Sequence, residues 1–142
     1  MMDQRFVYLD HPADAKFRAF GDTLEEAFAN AGLAVASLMW DVDAIGKTAI
    51  REVASDGRDL QQLLVKFLGE IPYLLETKRF LLAAVERLRI EERDGLFHLK
   101  AVFRGDDRPS DDAVFGEVKA ITYSQMKIEK SRHWTVQVVV DM

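Results

Sequence analysis

No cysteine occurs among the 142 residues. Disulfides, thiolate nucleophiles and zinc ribbons are excluded with it, and a reducing compartment fits such a chain. No apolar run approaches the roughly 20 residues that a membrane helix needs. Met1-Met2-Asp3-Gln4-Arg5 has neither the positive region nor the apolar stretch of a signal peptide, so the expected location is the cytoplasm and no membrane partner is expected. Positive charge is also short: 19 Lys and Arg stand against 24 Asp and Glu, a net charge of −5. That balance argues against direct nucleic-acid binding, which needs clustered cations for phosphates, and suits a cation or a protein partner better. The glycines at 21, 32, 46, 57 and 69 have neither Walker nor dinucleotide-binding spacing. There is no Gly-x-Ser-x-Gly elbow and no carboxylate pair set for glycoside chemistry. His11, His98 and His133 are too scattered for a zinc triad. The residues carry no enzyme signature of their own.

What is present is the composition of a globular chain, 49% hydrophobic and 30% charged. No repeat, low-complexity tract or linker divides it, so residues 1–142 are expected to form a single domain. Phe6 to Leu9 reads as a short strand ended by the His11-Pro12 turn. Phe17 and Ala19, alternating with Lys16 and Arg18, predict a second. Thr23 and Glu26 form a capping-box signature. Leu24, Ala27, Phe28, Ala31, Val35 and Leu38 then recur at helical spacing. Residues 47 to 54 suit a strand of modest quality. Asp59 caps a second helix carrying Leu60, Leu63, Leu64, Phe67, Leu68 and Ile71, which Pro72 is expected to end or kink. Residues 79 to 92 have good helix propensity, but the Arg93-Asp94-Gly95 turn and the alternating Phe97, Leu99, Ala101 and Phe103 require a partner strand, so a hairpin is predicted. An acidic loop over 105–117, a strand from Val118 to Ile128 and a last strand on Trp134, Val136, Val138 and Val140 follow. The sum is an α+β, two-layer domain: a mostly antiparallel sheet covered by two amphipathic helices, each with one apolar stripe.

Acidic groups stand at both ends of this pattern. Asp10-His11-Pro12-Ala13-Asp14 leaves the first strand, and the chain closes Val138-Val139-Val140-Asp141-Met142. Asp141 shares the face of Thr135, Gln137 and Val139, opposite the apolar set. Were Asp14 to lie beside that strand end, carboxylates would converge and repel unless a cation neutralised them, and hard cations such as calcium or magnesium take such oxygen ligands. On spacing alone, a turn-capping Asp14 and a solvated Asp141 stand ahead of that reading. His11 alone suits a turn residue with one hydrogen bond better than a base or ligand. Lys119 reads first as an exposed strand lysine that deters edge pairing, second as a cation facing a partner or an anion. Asp106, Asp107, Asp111 and Asp112 make an acidic loop, solvated or in contact with a basic partner.

Taken in order, these segments resemble the archease family, the small accessory proteins of the RNA-splicing ligase. The family's Asp/Glu-His-Thr-Ala-Asp run is matched by Asp10 to Asp14, and its Gly-x-(Ser/Thr)-Leu-Glu-Glu-Ala-Phe segment by Gly21 to Phe28. Its Asp-Leu-x-x-Leu-Leu helix start is matched by Asp59 to Leu64, its Glu-Val-Lys-Ala-(Ile/Val)-Thr-Tyr strand by Glu117 to Tyr123, and its ending by Asp141-Met142. The resemblance implies a non-catalytic activator that promotes guanylylation and turnover of the ligase that joins tRNA exon halves. It implies a divalent metal, calcium foremost, on Asp14, Asp141 and the Met142 carboxylate, with His11 and Lys119 on the functional surface nearby. An alternative within the same resemblance is a chaperone or specificity modulator of a tRNA/RNA-modifying methyltransferase. Pro12 replaces the motif threonine, removing a hydroxyl near Asp14 and stiffening the turn. Family histidines are absent at Ser124 and near Asp112.

Overall fold

The computed structural model describes residues 4–11 and 14–142. The expected effect of Pro12 on its turn lies outside these residues. Strands β1 (Phe6–Leu9) and β2 (Ala15–Gly21) pair antiparallel, with Phe6 opposite Ala19 and Leu9 opposite Lys16. Phe17 and Ala19 are buried and Arg18 between them is exposed, the alternation read from the sequence.

Gly21 ends β2 because a Cβ there would overlap the first turn of the following helix at Ala27. Helix α1 (Leu24–Ser37) starts at the Thr23 cap, whose hydroxyl accepts from the Glu26 N–H at 3.1 Å. The Glu26 carboxylate reaches back one residue further than expected and accepts from Asp22 N–H, not Thr23. The second junction repeats the device. Gly57 closes β3 (Ala49–Gly57) and meets the first turn of α2 (Leu60–Lys78) at Leu63; Asp59 caps Gln62 N–H at 2.7 Å, and Gln62 Oε1 accepts from Arg58 N–H at 2.9 Å. Side chains thus satisfy helix N–H groups that have no intrahelical partner.

Two helix expectations change. Beyond the predicted stripe, Leu33, Ala34 and Ala36 of α1 are also buried, because α1 touches not only β2 but also the strands over Leu81–Arg93 and Trp134–Asp141. Helix α2 does not end at Pro72 but continues to Lys78. A proline removes the hydrogen bond to the carbonyl four residues back, here Leu68. Ile71 and Leu74 on either side are buried, so the helix stays packed on the core past the proline. It closes at Arg79, whose left-handed φ of 49° lets its N–H and that of Phe80 reach the Leu75 and Leu74 carbonyls.

The ambiguous segment is strand β4 (Leu81–Arg93), joined to β5 (Leu96–Asp106) by Asp94-Gly95, both at positive φ. Strand β6 runs Ala120–Lys130 and β7 Trp134–Asp141. The acidic loop is therefore shorter at its start and longer at its end than expected, since Gly105 and Asp106 pair within β5 and Val118 and Lys119 precede β6. The strands form two antiparallel sheets, β1-β2-β7-β6 and β3-β5-β4, in an α+β fold. One core cluster draws on both sheets and both helices: Phe67 stacks on Phe28 at 6.3 Å and meets Phe103 edge-on at 5.8 Å, and fully buried Trp40 donates to the Leu82 carbonyl at 2.8 Å. Among the described residues no helix is long and apolar enough to cross a membrane.

Tyr8 ties the edge strand β1 to α1: its hydroxyl donates to the Ala34 carbonyl at 2.7 Å. Burial pushes the phenol from 10.0 up to about 12, against a smaller downward pull from Ser37. The unfolded chain therefore releases this proton first, so the contribution is complete below pH 10 and lost as pH rises toward 12. Tyr8→Phe is expected to cost about 1 kcal/mol at neutral pH. Its deficit should shrink between those pH values in urea titrations; a constant deficit would contradict the assignment.

Candidate functional site

Strand β7 lies between β2 and β6, so its last residues are flanked on both sides. On the β2 side Ala15 pairs with Val140 and Lys16 with Val139. The pairing stops at Ala15 and Val140: Asp14 and Asp141 each stand one residue beyond it, at the same end of the two strands. On the β6 side Ala120 is the partner of Asp141, and Lys119 N–H donates to the Asp141 carbonyl at 2.8 Å. His11 Nδ1 lies 3.9 Å from Asp14 Oδ2. The Met142 side chain packs against the core, so the last residue is anchored and not splayed from the strand end.

All five residues singled out from the sequence therefore gather at one end of the four-stranded sheet. Lys119 is exposed and makes no ion pair with Asp141 or any other described residue; its tie to Asp141 runs through the backbone. No group of three His, Cys, Asp or Glu residues that could hold a metal occurs among the described residues. His11, Asp14 and Asp141 therefore do not form such a group, and the third expected donor, the Met142 carboxylate, is not of these side-chain types. Three anionic oxygen donors suit a hard divalent cation in kind, and calcium or magnesium over zinc.

A supporting network escaped the sequence reading. Gln137 is 2% exposed although it lies on the outward face. Its Oε1 accepts from Arg18 Nε at 2.9 Å and its Nε2 donates to the Gln125 carbonyl at 2.7 Å. Lys16 Nζ reaches across β7 to Gln125 Oε1 at 2.9 Å. Gln125 sits at a φ of 54° in a bulge where the β6 register breaks between Thr122 and Lys127. Bulges re-aim strands and their ends, and this one lies between the paired segment that holds Asp141 and the rest of β6. A glutamine among five valine and threonine neighbours was the one visible signal; the bulge itself left none. Ser124, at the position of a family histidine, lies in that bulge and donates its N–H to Thr122 Oγ1 at 3.3 Å.

The remaining histidines serve elsewhere. His98 pairs with Asp56 at 2.6 Å across β5 and β3, and His133 meets Phe20 edge-on at 5.7 Å, at the end of β7 remote from Asp141. Asp112 is exposed in the 107–119 loop, away from the strands.

Comparison with known proteins bears on this arrangement. The model of the Archease protein family matches residues 6–142. The protein archease of Methanosarcina acetivorans is 38% identical over 141 residues, 98% of this chain and 97% of that protein. That of Pyrobaculum neutrophilum is 36% identical over 96% of this chain and 95% of its own. Among solved structures, that of Methanobacterium thermoautotrophicum protein 1598 superposes with a TM-score of 0.81 at 28% identity, covering 97% of this chain and 99% of that one. The crystal structure of an archease from Thermotoga maritima, described as a possible chaperone, gives 0.61 at 19% identity over 94% of each chain, a likeness of fold alone. With the family model matched from the first strand to the last residue, and relatives above one-third identity along the whole length, the chain belongs to the archease family.

Proposed function

We propose that this protein is a non-catalytic activator of an RNA-splicing ligase, promoting its guanylylation and turnover through a cation-bearing tip. The observation that supports the reading is the β2–β7 register, whose last pair, Ala15 with Val140, leaves Asp14 and Asp141 at the same end of the sheet, with the Met142 side chain packed after it. Asp14, Asp141 and the Met142 carboxylate would hold the ion, calcium foremost. When bound, the ion supplies positive charge that a nucleotide phosphate or an acidic ligand set of the ligase can share. The protein's own residues position the site: Lys119 fixes the Asp141 main chain, His11 lies beside Asp14, and the Gln137 network keeps β2, β7 and β6 aligned. The net charge of −5 favours a basic surface of the ligase over RNA itself.

The test is the rate of guanylylation by the cognate ligase with and without this protein. A stimulation that disappears in Asp141→Ala is expected. No stimulation by the parent protein, or full stimulation by the variant, removes the reading. The second reading is a chaperone or modulator of an RNA-modifying methyltransferase; the Thermotoga relative is described as a possible chaperone, with no partner named. Recovery of a methyltransferase but no ligase in co-purification would favour it.

A further inference from the structure

A groove of about 800 Å3 lies between the second half of α2 and the 107–119 loop. Its floor is apolar, with Met39, Pro72 and Leu75, and Val114 and Phe115 form the opposite wall. Phe115 is 68% exposed, more than any other large apolar side chain among the described residues. It is nevertheless held in place. Its N–H donates to the Met39 carbonyl at 2.8 Å, and Gly116 passes so close to the Leu38 carbonyl that a Cβ would overlap it. An aromatic ring displayed by a fixed backbone beside an apolar floor has the character of a binding hot spot.

Carboxylates outnumber cations around it. Glu76, Asp111 and Glu117 line the groove against a single guanidinium, Arg79, and the rest of the loop adds exposed Asp107 and Asp112 against Arg108 and Lys119. The groove is also continuous with the acidic tip. From Phe115 the chain runs through Glu117 and Val118 to Lys119, whose N–H holds Asp141. No more than about 14 Å of extended chain separates the wall from the tip.

We propose that this groove docks a basic amphipathic helix of the protein partner, one large apolar side chain seated against Phe115 and Leu75 and flanking Lys or Arg on Glu76 and Glu117. The partner's identity rests on the ligase reading above; the chemistry of the segment does not. Docking there would hold the partner within reach of Asp14 and Asp141.

Phe115→Ala and the double variant Glu76→Lys/Glu117→Lys separate the two contributions, since all three residues are exposed. Two titrations are read by calorimetry in the full chain: the cognate ligase, and a Leu/Lys amphipathic peptide of about 18 residues, long enough for five helical turns. Each variant is expected to weaken both by tenfold or more while calcium binding stays at the parent value. The loss in the charge-reversed variant should shrink as salt is raised, and that in Phe115→Ala should not. Unchanged affinities in both variants overturn the groove, even if Asp141→Ala abolishes ligase activation and the ligase reading stands. Peptide binding lost in Phe115→Ala, with no effect of the parent on the ligase, keeps the groove and removes the ligase. Peptide binding insensitive to Phe115 would be loose charge association and would overturn the proposal. So would loss of self-association, with ligase and peptide binding intact, which would make a second copy the occupant.

Discussion

Asp141→Asn is expected to weaken calcium binding by a factor of at least ten, about 1.4 kcal/mol. Asparagine keeps the volume of the side chain, and the main-chain bond from Lys119 and the pairing with Ala120 do not involve the carboxylate. The substitution therefore removes charge and little else. In the metal-free protein the sign should reverse. Asp14 and Asp141 follow directly on the last β2–β7 pair at one end of the sheet, and like charges close together on neighbouring strands destabilise the pair by a few tenths of a kcal/mol to about 1. The variant should melt at the parent temperature or slightly above it. Calcium at about 100 times its dissociation constant should stabilise the parent by about 2.7 kcal/mol and leave the variant nearly unmoved. Extending the chain beyond Met142 by a few residues displaces the terminal carboxylate and should produce a loss of similar size. The extension and Asp141→Asn should combine less than additively, because both act on one ion. Calorimetric titrations unchanged by either alteration would show that this end of the sheet is not a calcium site.

Phe67→Ala is expected to cost about 3–5 kcal/mol, the range for deleting a fully buried aromatic side chain. Phe67 is fully buried and touches Phe28 of α1 and Phe103 of β5, so its ring joins both helices and the three-stranded sheet. Natural domains retain only about 5–15 kcal/mol in all, so the variant should be half unfolded at far lower urea concentration. Phe67→Leu, which keeps most of the volume, should cost about 1–1.5 kcal/mol. Phe115→Ala should stay within about 0.5 kcal/mol of the parent, because that ring is 68% exposed. Equal losses at positions 67 and 115 would mean that the ring cluster does not hold the layers together.

Much of this fold was legible because local chemistry decides it. The caps at Thr23 and Asp59, the hairpin at Asp94-Gly95 and the alternation in β5 and β7 each depend on residues a few positions apart. Residues 81–93 show where locality ends. Their helix propensity yields because β5 offers a complete strand to pair with, and propensity differences of a few tenths of a kcal/mol per residue lose to pairing and burial. Pro72 failed as a stop signal for a related reason: tertiary packing of Ile71 and Leu74 outweighs one lost hydrogen bond. The division into two sheets, and the burial of α1 beyond its stripe, depend on contacts between distant segments that no periodicity encodes.

The acidic ends follow the same division. The residues themselves set the chemistry available: no thiol, few imidazoles, an acidic balance, and carboxylates at Asp14 and Asp141. Side-chain type and charge are local properties, and composition fixes them before folding. Only the tertiary structure could decide whether residues more than a hundred positions apart meet. The β2–β7 register pairs Ala15 with Val140 and so brings Asp14 and Asp141 to one end of the sheet, the Lys119 amide and the packed Met142 side chain keep that end from fraying, and the bulge at Gln125 is clamped by a buried glutamine. Register is set by the match of two apolar faces along whole strands, since a slip of one residue would turn Val138 and Val140 out of the core. That long-range match turns two separate acids into one candidate site.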